Sequence, residues 1–309
     1  MKTIQIDEFG GPEVLYITDI PEPVPADNEV LVEIYAASVN PADSKVRQGT
    51  GPGAGNVTFP YIIGRDFSGV VRACGKNVSE FIPGDAVFGV LPAGSEGTYC
   101  EALTIDAALV THKPEALFHS AAAAIVLSGL TSLVSIEDTL KLQAGEKILI
   151  HGGAGGVGSF AVQLAHHLGA HVITTASPAN HDYLQVLGAD EVIDYNAQDF
   201  TAVLNDIDVI FDLIGGEVHQ RSFEVLKSGG RMAYIAPLLK DASPPRDDVD
   251  VMRPNVQRDR AHLLRIIELY EAGAIKIPDI QEMPLEDAGK AHELVDTHHV
   301  RGKIVLTIK

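Results

Sequence analysis

Residues 147–170 read KILIHGGAGGVGSFAVQLAHHLGA, an apolar strand that runs into a cluster of glycines and out into a helix-forming segment. The cluster contains GxGxxG as Gly153, Gly155 and Gly158, in the strand–turn–helix setting this pattern requires to hold a dinucleotide. Glycines there permit a tight turn and let backbone N–H groups approach a pyrophosphate. The free N–H groups and positive dipole end of the following helix then face the same anion. The alternative is a tight turn with no ligand; the strands and helices on either side favour the dinucleotide.

Those flanking segments repeat the texture. HVITTAS (171–177), EVIDY (191–195), DVIFDLIGG (208–216) and GRMAYIAP (230–237) read as strands, with DYLQVLGA (182–189) helical between the first two. Strands apolar on both faces that alternate with helices predict a doubly wound, Rossmann-type parallel sheet covered on both sides, an α/β fold. The patch Val249–Met252 follows the fifth strand, where a final edge strand would lie, and RAHLLRIIELYEAG (260–273) has helical spacing ended by glycine. The first third differs. NEVLVEIYAASV (28–39), SGVVRAC (68–74) and DAVFGVL (85–91) are short strands separated by Gly75, Pro83 and Gly84, which predicts a small β-barrel. The last 36 residues return to strand–helix–strand, and their closing KIVLTIK is expected to pair with the first third. That makes the barrel domain discontinuous, 1–121 plus 270–309, around a dinucleotide domain at 122–269.

Composition narrows the partners. Among 309 residues, 23 Lys and Arg face 42 Asp and Glu, a formal charge of −19. A surface of that sign argues against nucleic acid, which needs a basic stripe, and against anionic membranes. Two cysteines, Cys74 and Cys100, make neither a disulfide framework nor a four-thiolate zinc site. The opening MKTIQIDEFG lacks an apolar run of signal-peptide length, and the nearly uncharged run Ser120–Ile136 reads as too short and too interrupted to span a bilayer. A cytoplasmic protein with reduced thiols is expected. On the nucleotide side, NAD sites usually carry an acid at the end of the second strand. Here Ile173–Ser177 contains none, and the first acid is Asp182. NADPH is therefore favoured over NADH, with the Ser177 hydroxyl available to a 2′-phosphate. No Lys or Arg lies between Lys147 and Arg221, and His181 is the nearest other cation candidate.

The segments MKTIQIDEFGGPEVL, SVNPADSKVRQG (38–49), PYIIGRDFSGVV (60–71), GAGGVGSFAVQLAHHLGA (153–170), LGADEVIDY (187–195) and HVRGKIVL (299–306) together resemble the medium-chain dehydrogenase/reductase superfamily, and within it the zinc-independent quinone oxidoreductase branch. The resemblance covers the whole chain and implies a GroES-like barrel beside the Rossmann domain. Zinc-dependent relatives hold their metal with a cysteine, the histidine of a GHE motif and a later Cys or Asp. Here Asn40 stands at the first position and the GHE segment reads Gly64-Arg65-Asp66. Arginine cannot ligate zinc, so no metal is expected.

Without a Lewis acid, alcohol oxidation is difficult, whereas hydride delivery to an electron-poor acceptor needs only placement and hydrogen bonds to a carbonyl oxygen. The resemblance implies the same chemistry: NADPH-dependent reduction of a small quinone or enone. A homodimer is expected, because the open edge at Val249–Met252 invites a two-fold related copy. The resemblance carries cofactor contacts to Gly155, Gly156, Val157, Ser177, Asn180, Tyr195, Leu213, Ile235 and Ala236, and a nicotinamide-side contact to Thr131. Candidate catalytic groups in the cleft expected between domains are Asn40 and Tyr61. Asn40-Pro41-Ala42-Asp43 also reads as a helix N-cap, Tyr61 as a packing aromatic, and Arg65 with Asp66 as an ion pair beneath the site. Two rivals share the fold: an enoyl-thioester reductase, which would use Lys45, Arg47 and Arg65 for its phosphates, and a non-enzymatic NADPH-binding protein.

Overall fold

In the computed structural model, which describes residues 1–51, 53–92, 94–95, 97–240 and 243–309, the strands alternate with helices only beyond the first third of the chain. In order they are β1 (Lys2–Ile6), β2 (Tyr16–Asp19), β3 (Glu29–Val39), α1 (Pro41–Arg47), β4 (Tyr61–Ile62), β5 (Asp66–Cys74), β6 (Ala86–Val90), β7 (Ala102–Asp106) and β8 (Val110–His112). Then come α2 (His119–Leu133), β9 (Lys147–His151), α3 (Gly156–His167), β10 (His171–Ala176), α4 (His181–Val186), β11 (Glu191–Asp194), α5 (Phe200–Val203), β12 (Ile207–Asp212), α6 (Gly216–Ser222), β13 (Leu226–Tyr234) and β14 (Asp250–Met252). The last are α7 (Arg260–Glu271), β15 (Ile280–Pro284), α8 (Ala288–Asp296) and β16 (Lys303–Thr307). The chain divides into two units, one of Met1–Leu127, Arg258–Ile267 and Ile277–Lys309, the other of Ser128–Gln257 and Glu268–Lys276.

The second unit is built on a six-stranded sheet in the order β11-β10-β9-β12-β13-β14. Every pairing in it is parallel. Numbered within the sheet that order is 3-2-1-4-5-6, the arrangement of dinucleotide folds. The central strand is buried on both faces, with Ile148, Leu149 and Ile150 fully covered, which is why its sequence is continuously apolar rather than alternating. The patch after the fifth strand forms β14 and pairs with β13, and among the described residues no strand pairs with its other side, a sheet edge.

The first unit holds a seven-stranded sheet ordered β15-β16-β3-β5-β6-β8, with β7 also on β3, and a three-stranded sheet β2-β1-β4. KIVLTIK reaches back as expected: β16 runs antiparallel to β3, from Ile304 opposite Val39 to Thr307 opposite Ala36. One core fills the space between β3, β5, β6 and β7 around Val32, Ile34, Phe67 and Val87. Another joins β1, β16 and α8 through Ile6, Tyr99, Ala291 and Ile304.

The run Ser120–Ile136 corrects its sequence reading. The helix containing it extends over His119–Thr139, 21 residues, long and apolar enough to cross a membrane by length and composition, yet 83% of its apolar window is buried inside the protein. The interruptions do not break it because they bond their own helix: Ser132 Oγ donates to the Ser128 carbonyl at 2.9 Å and Ser135 Oγ to that of Thr131 at 2.6 Å.

Candidate active site

The glycine loop lies between β9 and α3, and its glycines serve different ends. A Cβ on Gly153 would sit 2.1 Å from Thr174 Oγ1, and one on Gly158 would sit 2.3 Å from the Gly152 carbonyl oxygen. Those two are glycines because strand and helix touch there. Gly155 is different: a Cβ would meet only the Gly152 carbonyl, at 3.9 Å, so no protein atom forbids a side chain. Gly155 is the N-cap of α3, with φ −75° and ψ 175°, and the positive φ of the loop falls on Gly152, at +78°. The first N–H groups of the helix, those of Gly156, Val157 and Gly158, have no intrahelical acceptor by construction. The open surface at residue 155 beside them is a cradle that fits a pyrophosphate.

Because all six strands are parallel, the other nucleotide candidates gather at the same carboxyl edge of the sheet. Ser177 follows β10, and its Oγ accepts from Asn180 Nδ2 at 3.2 Å. Tyr195 follows β11 and is 51% exposed. Leu213 follows β12, and Ile235 and Ala236 follow β13, all half-buried. The turn after β12 is tied down by Asp212, whose Oδ1 accepts the N–H groups of Ile214 and Gly215 at 2.9 Å each, and whose Oδ2 meets His219 Nδ1 at 3.0 Å. Burial opposes ionisation of Asp212, but His219 and those N–H groups outweigh it and hold the carboxyl below its usual range. Thr131, on α2, is buried, with its carbonyl taken by Ser135.

Asn40 and Arg65 belong to a buried polar cluster in the first unit. Asn40 caps α1 as expected: Pro41 is the first helical residue, and the Asn40 N–H donates to Asp43 Oδ2 at 2.8 Å. Its side chain, 5% exposed, donates from Nδ2 to Asp66 Oδ1 at 2.9 Å and accepts from Lys303 Nζ at 2.6 Å. Ser38 Oγ also donates to Asp66 Oδ1, at 2.7 Å. Arg65 Nε faces Asp43 Oδ1 at 3.2 Å, and Tyr99 OH donates to Asp43 Oδ2 at 3.2 Å. Burial pushes the Asp43 carboxyl up to about 6 against the pull of Arg65. Burial likewise lowers Lys303, against the pull of Asp66 and Asp43. Two carboxylates and two cations thus balance one another out of water, the condition under which buried charges persist.

These residues do not fit a zinc ion. Arginine offers no lone pair, the Asn40 oxygen is held by an ammonium, and Asp43 already faces the Arg65 guanidinium. Among the described residues no group of three or more His, Cys, Asp or Glu side chains is placed to hold a metal.

Residues 26–115 match the alcohol dehydrogenase GroES-like domain and residues 187–306 the zinc-binding dehydrogenase family. A bovine protein, NAD(P)H oxidoreductase RTN4IP1, mitochondrial, is 31% identical over 98% of this chain and 88% of its own. The quinone oxidoreductase structure from Coxiella burnetii superposes with a TM-score of 0.94 at 34% identity, covering 100% of this chain and 99% of that one. The chain belongs to the zinc-independent quinone oxidoreductase branch of the medium-chain dehydrogenase/reductase superfamily. It is an oxidoreductase of an NAD(P)H-dependent family. The quinone oxidoreductase of Escherichia coli complexed with NADPH is also similar, with a TM-score of 0.89 at 28% identity over 100% of both chains.

Within this oxidoreductase, Tyr61 lies on β4 opposite Ile6, half-buried and packed against the core around Ile4 and Tyr99. Two of the three basic residues expected to serve thioester phosphates are not available to them. Arg47 is fully buried and pairs with Asp296 at 2.6 Å, and Arg65 is buried against Asp43. Sequence reasoning missed Lys303, which sits in an apolar strand like any edge lysine until β16 folds against β3. It also missed His151 and Thr175, whose only signal was a polar residue at the end of each of two apolar strands.

Proposed function

We propose that the protein reduces quinones or α,β-unsaturated carbonyls with a hydride from NADPH and without zinc. The observation that carries this is the open surface at Gly155 beside the unpaired N–H groups of α3, on the strand order of a dinucleotide fold. Bound NADPH would supply the hydride at its nicotinamide ring. The chain's part on that side is to hold the pyrophosphate on the N–H groups of residues 156–158, against the open surface at Gly155. Ser177 and Asn180 would take the 2′-phosphate and Tyr195 the adenosine phosphate. Thr131, Leu213, Ile235 and Ala236 would flank the nicotinamide. The acid-free end of β10 supports NADPH, because a carboxylate there would repel the extra phosphate. The similar Escherichia coli enzyme is complexed with NADPH.

Asn40 and Tyr61 are the acceptor-side groups in this reading. One Asn40 amide hydrogen is committed to Asp66, and the remaining Nδ2 contacts, to Ser38 and Asp43, are long at 3.4–3.5 Å, so an acceptor oxygen would compete with these weaker bonds for the second hydrogen. Arg65 and Lys303 supply positive charge where relatives hold a metal. The unpaired side of β14 supports a homodimer formed edge to edge, since an open strand invites pairing with a two-fold copy. A cytoplasmic setting agrees with free Cys74 and Cys100, the latter pushed up to about 12 by burial and so unreactive. Assaying a panel of quinones and enals with NADPH and NADH tests the proposal. Turnover of no quinone or enone with either cofactor would overturn it.

A further inference from the structure

Behind the glycine loop runs a chain of side chains that no nucleotide contact requires. Thr175, at the end of β10, accepts the Gly152 N–H on Oγ1 at 3.2 Å. The same oxygen lies 3.3 Å from His151 Nδ1, and His151 Nε2 lies 3.0 Å from Ser222 Oγ. Ser222 Oγ in turn donates to the Val218 carbonyl at 2.7 Å.

The Ser222 bond to the Val218 carbonyl sets a direction for the relay. With its proton given to Val218, the Ser222 oxygen must accept, so the proton of His151 is on Nε2. His151 Nδ1 is then an acceptor, and the Thr175 hydroxyl, which already accepts from Gly152, donates to it. Burial pushes His151 down to about 4, so the neutral ring this pattern needs is the form present at neutral pH. Phe200 packs edge-on against the same ring with centroids 4.8 Å apart.

The chain ends on the peptide that shapes the loop. Gly152 holds the positive φ of +78°, and its carbonyl accepts the N–H of Gly155 at 3.4 Å. The Thr175 carbonyl accepts the N–H of Gly153 at 3.3 Å. Thr175 therefore grips two successive loop peptides, one through its side chain and one through its backbone. We propose that Thr175, oriented by His151 and Ser222, is the positioning residue that presets the glycine loop for the dinucleotide pyrophosphate. This rests on the NADPH reading of the same site.

The test uses Thr175→Val, Thr175→Ser and Ser222→Ala in the full chain, with NADPH fluorescence titration, steady-state kinetics on a benzoquinone and thermal melting. Valine keeps the shape of threonine but strands the Gly152 N–H, which should weaken NADPH binding roughly tenfold. The KM for NADPH should rise several-fold more than kcat falls. Serine restores the hydroxyl and should bind within about twofold of wild type. If Thr175→Val does not fold, Ser222→Ala, one bond further back, should still raise the Kd by about threefold. A folded Thr175→Val with wild-type Kd overturns this inference alone, as does a serine variant no better than valine. If Thr175→Val does not fold, a Ser222→Ala variant with wild-type Kd overturns it. A wild type that binds neither NADPH nor NADH overturns the dinucleotide reading, and this inference with it.

Discussion

Replacing Gly155 by valine should abolish cofactor binding while leaving the fold in place. The structure separates those two effects. At φ −75° and ψ 175° the backbone of residue 155 is in the extended region that any residue adopts. An added Cβ meets only the Gly152 carbonyl at 3.9 Å, an ordinary contact. The folding cost is the loss of a favourable N-cap, about 1 kcal/mol. On the ligand side the branched carbon fills the space a pyrophosphate oxygen needs to reach the N–H groups of α3. Charge-assisted bonds of this kind contribute about 1.5–3 kcal/mol each. Losing two should therefore weaken binding by about two to four orders of magnitude. Titrating NADPH fluorescence against wild type and variant measures this, with circular dichroism melting as the control. A folded variant that binds NADPH as tightly as wild type would show that the loop is only a turn. Gly158→Ala should behave in the opposite way, losing stability first, because its Cβ would lie 2.3 Å from the Gly152 carbonyl oxygen.

Four further outcomes are expected. Exhaustive chelation should leave turnover unchanged; activity lost to a chelator and restored by zinc would contradict the metal-free reading. Preference for NADPH over NADH should be modest, and Ser177→Asp should reverse it by placing a carboxylate where the 2′-phosphate would sit; an unchanged ratio of kcat/KM values would place the phosphate elsewhere. Light scattering at micromolar concentration should give a dimer, and a monomeric mass would leave the β14 edge without its proposed partner. Buried His292, between Ser44 and Tyr99, is held down to about 3 by burial and by Arg47. The unfolded chain takes up that proton near 6.5 and the folded chain only near 3, so the stability tied to neutral His292 is full above pH 6.5 and is lost as pH falls toward 3. His292→Gln should flatten melting temperature against pH across that window, and an unaltered slope would refute the assignment.

The strands and helices around the glycine motif were legible because burial on both faces leaves a continuous apolar run, and a tight strand-to-helix turn leaves glycines at fixed spacing. The return of KIVLTIK to the first third was legible for a similar reason: its apolar residues need a partner sheet. Which glycine serves which purpose was not. Gly153, Gly155 and Gly158 look alike as letters, and only the positions of Thr174 and the Gly152 carbonyl separate packing from an open cradle. Asn40 was read as a cap and as a site residue, and both readings are local. Its partners Asp66 and Lys303 lie 26 and 263 positions away, a distance that no spacing rule spans. Arg65 reads as an ion pair with its neighbour Asp66, and Arg47 as part of a basic cluster, for the same reason; folding buries them against Asp43 and Asp296 instead. Periodicity and local chemistry are written along the chain, so sequence alone determined the element types and the dinucleotide motif. Charge compensation and the His151–Thr175 relay depend on which distant side chains meet out of water, where an unpaired polar group is costly, and those meetings exist only in the tertiary structure.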